Sequence, residues 1–353
     1  MLSSPSRDPL VTIAIPTFNR SSWLQGCIAA CLQQSYASFE IVVSDNASTD
    51  ATQEVLRGFA SERLRVLQQD ENIGLVANWN ACLAAAQGSH VVFVSDDDTV
   101  APWLLEHCVA LVRRDPEIAL VMALSDTYLA GEHRKLPAML SPNLSTGIWR
   151  GADVLREFLA CRISPVMSSI LFRTDVLRAV GGLPSGWPNA ADLACWLPLL
   201  ASNKVGFVNA QCSSFCVHPE AESSKFSAAT RVAELSRLVD VVENAVDVAI
   251  EDAAERRLLH VEARRYFARN AIGVIAALYK RGMAVSATLA LLWQWRRDLA
   301  HVGLRNVPDL ARPIAILLLP RPVTNAVSRA LSIGRHARSM IARQGRREHR
   351  QPG

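Results

Sequence analysis

The first hundred residues alternate short apolar runs with amphipathic stretches, the pattern that builds a mostly parallel sheet covered by helices. Leu10-Val11-Thr12-Ile13-Ala14-Ile15 reads as a fully buried strand stopped at Pro16. A helix follows over about 21–34, with Trp23, Cys27, Ile28, Cys31 and Leu32 on one face. Phe39 to Ser44 is the second strand, and Asp45 to Asp50 form a turn able to cap a short helix that ends near Gly58. A strand from Leu64 to Leu67, a helix from Leu75 to Gln87 closed by Gly88, and a strand from His90 to Val94 complete this part.

The pattern then predicts a helix near Pro102 to Arg114, a strand from Ile118 to Leu124, and a surface loop from Ala130 to Thr146. Next come a helix over Asp153 to Cys161, a strand over Ser169 to Arg173 and a sharp turn at Val180-Gly181-Gly182-Leu183. After a loop through Asn189, a helix carries Asp192 and Trp196, and extended pieces follow at Val205 to Val208 and Ser213 to Val217. From about Phe226 the period becomes helical, with Val232, Leu235, Leu238, Val239, Val242 and Val246 on one stripe. Two regions are expected: an α/β unit over 1–228 and a helical, basic extension over 229–353. In the extension, Ile272 to Tyr279 and Met283 to Trp293 read as a helical hairpin.

A chain of 353 residues with 50% hydrophobic content can bury one large core or two smaller ones, which excludes a disordered chain. The net charge is only +4, yet twelve arginines fall between Arg296 and Arg350. With Trp293, Trp295 and the run Ile314 to Leu319, this basic end suits an anionic membrane surface; a helical cap with a solvated basic face is the alternative. Nucleic acid is a weaker partner for it. No apolar run reaches the ~20 residues of a membrane-crossing helix. The amino terminus lacks the charged start and apolar core of a secretory signal, so a cytoplasmic protein is expected. Its eight cysteines sit mostly in apolar segments, as buried free thiols do, and Cys212, Cys216 and His218 lack a second ligand pair for zinc.

The chemistry concentrates at Ser95-Asp96-Asp97-Asp98, directly after Val91-Val92-Phe93-Val94. Adjacent carboxylates disfavour one another's ionisation, and an oxygen-seeking divalent cation is the natural counter-charge. If the run stays extended, Asp96 and Asp98 point the same way and can share one metal while Asp97 faces a neighbour. Pro16-Thr17-Phe18-Asn19-Arg20, between the first strand and its helix, offers N–H groups, a hydroxyl and a cation to an anion, without a Walker loop or a G-x-G-x-x-G.

Taken in order, TIAIPTFNR, EIVVSDNASTD, ENIGLVANWNACLAAAQG and VVFVSDDD resemble the family 2 glycosyltransferases over about a hundred residues, and more loosely to about residue 220. The resemblance implies the A-type nucleotide-sugar fold, with Pro16, Thr17, Asn19 and Arg20 meeting the nucleotide and Asp45 accepting hydrogen bonds from the base. Asn78 joins this set, but Trp79 stands where the family often has an arginine, so phosphate contact from that point is not implied. The Asn-Trp-Asn sequence also looks like a sub-branch acting on deoxyhexose or O-antigen sugars. The acidic run matches the D-x-D motif with Ser95 in place of its first Asp, which implies Asp98 as the strongest ligand of Mg²⁺ or Mn²⁺. Asp96 or Asp97 would support it or contact the ribose, and His218 would ligate the metal or touch the diphosphate. Asp192 matches the catalytic base of an inverting transfer, although an Asp at a helix start is otherwise a cap or dipole partner. Trp196 suits the core, and Trp187 a lid over the acceptor. The expected activity moves a sugar from a nucleotide-diphosphate donor to an acceptor hydroxyl on a lipid-linked bacterial surface glycan, at the inner face of the plasma membrane. A nucleotidyltransferase and a silent nucleotide- or glycan-binding module are the alternatives.

Overall fold

The computed structural model describes residues 8–280 and 282–303. The arginines beyond 303 and the Ile314 to Leu319 run lie outside these. In chain order the elements are β1 (Val11–Thr17), α1 (Ser21–Leu32), β2 (Phe39–Asp45), α2 (Thr52–Arg57), β3 (Leu64–Gln68), α3 (Leu75–Ala85), β4 (His90–Phe93) and β5 (Thr99–Val100). They continue with α4 (Leu104–Arg114), β6 (Leu120–Leu129), β7 (Arg134–Leu136), β8 (Gly147–Arg150), α5 (Gly151–Leu159), β9 (Ile170–Arg173), α6 (Thr174–Ala179), α7 (Ala191–Ser202) and β10 (Lys204–Val217). Four helices close the described chain: α8 (Ala228–Ala249), α9 (Ala253–Lys280), α10 (Val285–Gln294) and α11 (Arg296–His301).

One sheet runs in the order β3-β2-β1-β4-β9-β6-β10-β5, with β7 on β6 and β8 on β10. The first four strands are parallel, as their βα connections require. β9 is antiparallel to both β4 and β6, so the sheet is mixed; apolar content reveals that a strand is buried, not which way it runs. Side chains alternate between two cores: Ala14, Val91 and Phe93 face one, whereas Ile13, Ile15, Val92 and Val94 face the other.

β10 is one strand where two pieces were expected, and its register slips between Phe207 and Gln211 and again before Ser213. The polar residues at the slip broke the apolar pattern. They are used there: the Asn209 amide donates to the Ser141 and Leu144 carbonyls, 2.9 Å each, pinning the 137–146 loop. The stretch from Ala130 to Thr146, expected as a surface loop, is not wholly loop, because β7 forms a hairpin with β6.

α8 starts at the expected change of pattern, where the Ser227 hydroxyl accepts the Thr230 N–H at 3.1 Å. Its Val232, Leu238, Val239, Val242 and Val246 share one core with Phe158, Trp196 and Leu200. Trp196 is 1% exposed, the core position expected of it. Close packing tightens where α5 meets α7: a Cβ on Gly151 would lie 1.6 Å from the Leu200 carbonyl oxygen, so only glycine fits there. The hairpin partner of α10 is longer than expected, since α9 continues unbroken from Ala253.

Candidate active site

The strand order reverses at β1, which has β2 on one side and β4 on the other, and clefts form at the carboxyl ends of strands at such a switch point. A cleft of about 450 Å³ lies there. Its walls come from the loop after β1, the amino end of α3, the turn after β4, the start of α7 and the segment after β10. A wider depression of about 680 Å³ at the amino end of α5 is remote from these residues, and its Arg150 and Glu255 pair with each other at 2.7 Å.

The acidic run is not extended. The Asp98 N–H donates to the Ser95 carbonyl at 2.9 Å, closing a turn that removes the alternation expected to align Asp96 with Asp98. Asp98 is 2% exposed; it accepts from the Ser168 hydroxyl at 2.5 Å and from the Cys216 N–H at 2.9 Å. It therefore ties β10 to the turn and does not line the cleft, whereas Asp96 and Asp97 do. Asp96 accepts from the Thr17 hydroxyl at 2.7 Å. Asp97, expected to face a neighbour, is the carboxylate that meets His218: its Oδ2 lies 2.9 Å from His218 Nε2 and 3.0 Å from Arg20 Nη1.

Arg20 also donates to the Glu220 carbonyl at 2.8 Å, joining the first loop to the segment after β10. His218 packs against the Trp23 ring at 4.4 Å, and its buried Nδ1 has no hydrogen-bond partner among the described residues. Burial and the Asp97 charge push Asp96 up to about 7, and the same two causes push Asp98 to about 8. Among the described residues no three His, Cys, Asp or Glu side chains converge as a ready metal shell.

The other expected contacts divide. Pro16, Thr17 and Arg20 line the cleft. Asn19 takes a left-handed φ of 52° and ties the loops together, its side chain accepting the Thr49 N–H at 2.7 Å. Asp45 is fully buried and closes its own turn, accepting from the Ser48 N–H at 3.0 Å and from the Gln53 amide. Its neighbour Asn46 faces the cleft instead, with Asn72, to which it donates at 2.9 Å. Asn78 reaches the cleft wall but spends its amide on β2: it accepts from the Ser44 hydroxyl at 2.6 Å and donates to the Ser44 carbonyl at 3.0 Å. Trp79 stacks on Phe93, and its buried indole N–H has no hydrogen-bond partner among the described residues.

Asp192, which also lines the cleft, occupies the first turn of α7. Burial pushes it up to about 6, with the nearby Glu234 charge adding to the effect, although the helix-start N–H groups oppose it. Lys225 and Phe226 line the same space, and Lys225 pairs with Glu222 at 2.6 Å. Sequence reasoning missed Asn46, Asn72 and Lys225. For Lys225 the signal was a lone lysine seven residues after His218; for the two asparagines it was their place in turns following strands.

The fold is a mixed α/β sheet flanked by helices, with its cleft at the carboxyl ends of the strands where their order reverses. Residues 12–158 match the model of glycosyl transferase family 2. Over 208 residues, 58% of the chain, it is 31% identical to the O-antigen biosynthesis protein RfbC of Myxococcus xanthus, of which that match covers 15%. The chain spans only 15 to 36% of the length of the first curated relatives it matches. A fragment of S. aureus TarS in complex with UDP shares the fold, with a TM-score of 0.61 and 17% identity over 90% of this chain and 86% of that one. So does the mannosyltransferase PcManGT of Pyrobaculum calidifontis in complex with GDP-Man and Mn2+, with a TM-score of 0.53 and 21% identity over 86% and 89% of the two chains.

Proposed function

We propose that the chain transfers a sugar, with inversion, from a nucleotide-diphosphate sugar to an acceptor hydroxyl. The observation that carries this reading is the pairing of two unlike sets of residues in one cleft. The loop after β1 and the turn after β4 bring Arg20 and Asp97 to it, with His218 held against Asp97, while Asp192 comes to the same cleft from the start of α7. Asp192 takes the proton of the acceptor hydroxyl as that oxygen bonds to the anomeric carbon. The bond from that carbon to the diphosphate breaks on the far face, and the nucleoside diphosphate leaves with the electron pair. A raised pKa suits Asp192 to this role, because the carboxylate is then basic enough to accept a proton yet mostly ionised at neutral pH.

Asp97 and His218, with Asp96 beside them, are the residues that would hold Mg²⁺ or Mn²⁺. The fit is to an ion that takes few protein ligands and completes its shell with phosphate oxygens and water, as Mg²⁺ does. Once bound, the ion neutralises charge on the departing diphosphate. Arg20 contributes fixed positive charge at the same place, and Pro16, Thr17, Asn46 and Asn72 border the nucleotide. Asn19, Asp45 and Asn78 support that border through the hydrogen bonds that shape the loops.

The reading is tested by calorimetric titration with UDP and GDP, each with and without Mn²⁺. Binding of one nucleotide that tightens about tenfold with the metal is expected. Equal affinity with and without it contradicts the metal assignment.

The similarity to an O-antigen biosynthesis protein supports a lipid-linked glycan of the bacterial surface as the acceptor. Peripheral attachment at the inner membrane face is supported by the surface of α10. Val285, Leu289 and Trp293, spaced four residues apart, are all exposed, and the Arg296 guanidinium lies 4.7 Å over the Trp293 ring. No described helix is long and apolar enough to cross a membrane. The full chain is expected to co-sediment with vesicles containing phosphatidylglycerol. The double variant Leu289→Ser/Trp293→Ser should weaken partition about tenfold, from lost apolar burial. Undiminished co-sedimentation of that variant removes α10 from the contact.

A further inference from the structure

Glu234 and Arg237 lie one turn apart on α8, and both reach the loop Gly186–Asn189 that leads into α7. The Asn189 N–H donates to Glu234 Oε1 at 3.2 Å. Arg237 donates to the Gly186 carbonyl at 2.9 Å, and its guanidinium lies 3.8 Å over the ring of Trp187. Both ends of the loop are thereby fastened to one helix. Asp192 follows Asn189 by three residues, and Pro188, Asn189 and Asp192 line the cleft.

Glu234 is not a residue that packing alone accounts for. It is 3% exposed, one of its oxygens has no hydrogen-bond partner among the described residues, and a buried carboxylate left half satisfied is unfavourable. Asp192 interacts with Glu234 from α8, Cys195 from its own helix and Tyr266 from α9. Burial raises the Cys195 thiol to about 12 and holds the Tyr266 phenol higher still, whereas Glu234 is the carboxylate that adds to the upward push on Asp192.

We infer that Glu234 and Arg237 are positioning residues that clamp the loop Gly186–Asn189 and so present Asp192 to the acceptor. This rests on the reading of Asp192 as the base. Trp187, at 7% exposure, is on this account the anchor of the clamp, seated under Arg237.

The test uses the full chain with four substitutions: Glu234→Ala, Glu234→Gln, Arg237→Ala and Arg237→Lys. Hydrogen exchange is followed over residues 186–192, together with the pH profile of nucleoside diphosphate release from GDP-mannose or UDP-N-acetylglucosamine. Both alanine variants should speed exchange in this segment about tenfold. They should lower kcat while the donor KM stays within about twofold, because the donor wall is untouched. Glu234→Gln keeps an oxygen for the Asn189 N–H and should keep the exchange pattern, but loss of its charge should move the acid limb of the profile to lower pH. Arg237→Lys retains a donor for the Gly186 carbonyl and should fall between wild type and Arg237→Ala.

Wild-type exchange in both alanine variants overturns the clamp. An acid limb that stays in place in Glu234→Gln reduces Glu234 to a structural role and overturns its part. The exchange readout needs no turnover. Failure of the base reading shows separately, as wild-type turnover in Asp192→Asn while exchange in the alanine variants still rises.

Discussion

Asp192→Asn is expected to bind the nucleotide donor as the wild type does and to lower transfer by about a hundredfold or more. The amide is close to isosteric with the carboxylate but cannot take the acceptor proton, and Asp192 comes from α7, an element that carries neither Asp97 nor His218. The same residue sets a pH dependence. Its pKa lies near 6 because burial penalises the charged form. The active species is the ionised base, so kcat should rise with pH through that value and fall about tenfold for each unit below it. Steady-state rates between pH 5 and 8, with donor affinity measured in parallel, provide the check. Wild-type turnover in the variant places the base elsewhere.

Asp97→Asn should abolish the gain in donor affinity that Mn²⁺ provides, a loss of about tenfold or more. Asp97 meets His218 at 2.9 Å and faces the cleft, whereas Asp98 spends its oxygens on Ser168 and the Cys216 N–H. The two neighbours should therefore separate. Asp98→Asn keeps an oxygen for one donor and should retain Mn²⁺-dependent binding, with its cost falling on thermal stability. Titration of UDP and GDP into both variants decides the matter, and equal loss in the two would contradict the division of roles.

The sequence made the first four strands and their helices legible because buried parallel strands are short, apolar and punctuated by turn residues. Val11 to Thr17 and His90 to Phe93 are such strands, and the acidic run was placed correctly at the carboxyl edge of the sheet. The direction of each Asp was not legible, since it depends on whether Ser95 to Asp98 extends or turns. That is decided by Ser168 and Cys216, 70 and 118 residues from Asp98 in the chain. Asp45 shows the same limit from the other side. Its turn could be read locally, but that its oxygens are spent on Ser48 and Gln53, leaving Asn46 to face the cleft, is a matter of how the turn packs. β10 was divided in two because Asn209 and Gln211 are polar, and their register slips interrupt a pattern that assumes an unbroken ladder. Glu234 gave no local sign at all: it lies on an ordinary helical stripe and acquires its neighbour only when α8 folds against α7.

The central claim is sugar transfer within one cleft, and incubation of the full chain with Mn²⁺, a nucleotide sugar and a lipid-linked glycan extract tests it most directly. The account predicts release of nucleoside diphosphate in step with a new glycoside of opposite anomeric configuration to the donor, both lost in Asp192→Asn. Tight donor binding with no product from any UDP- or GDP-sugar, or a product of retained configuration, would contradict it.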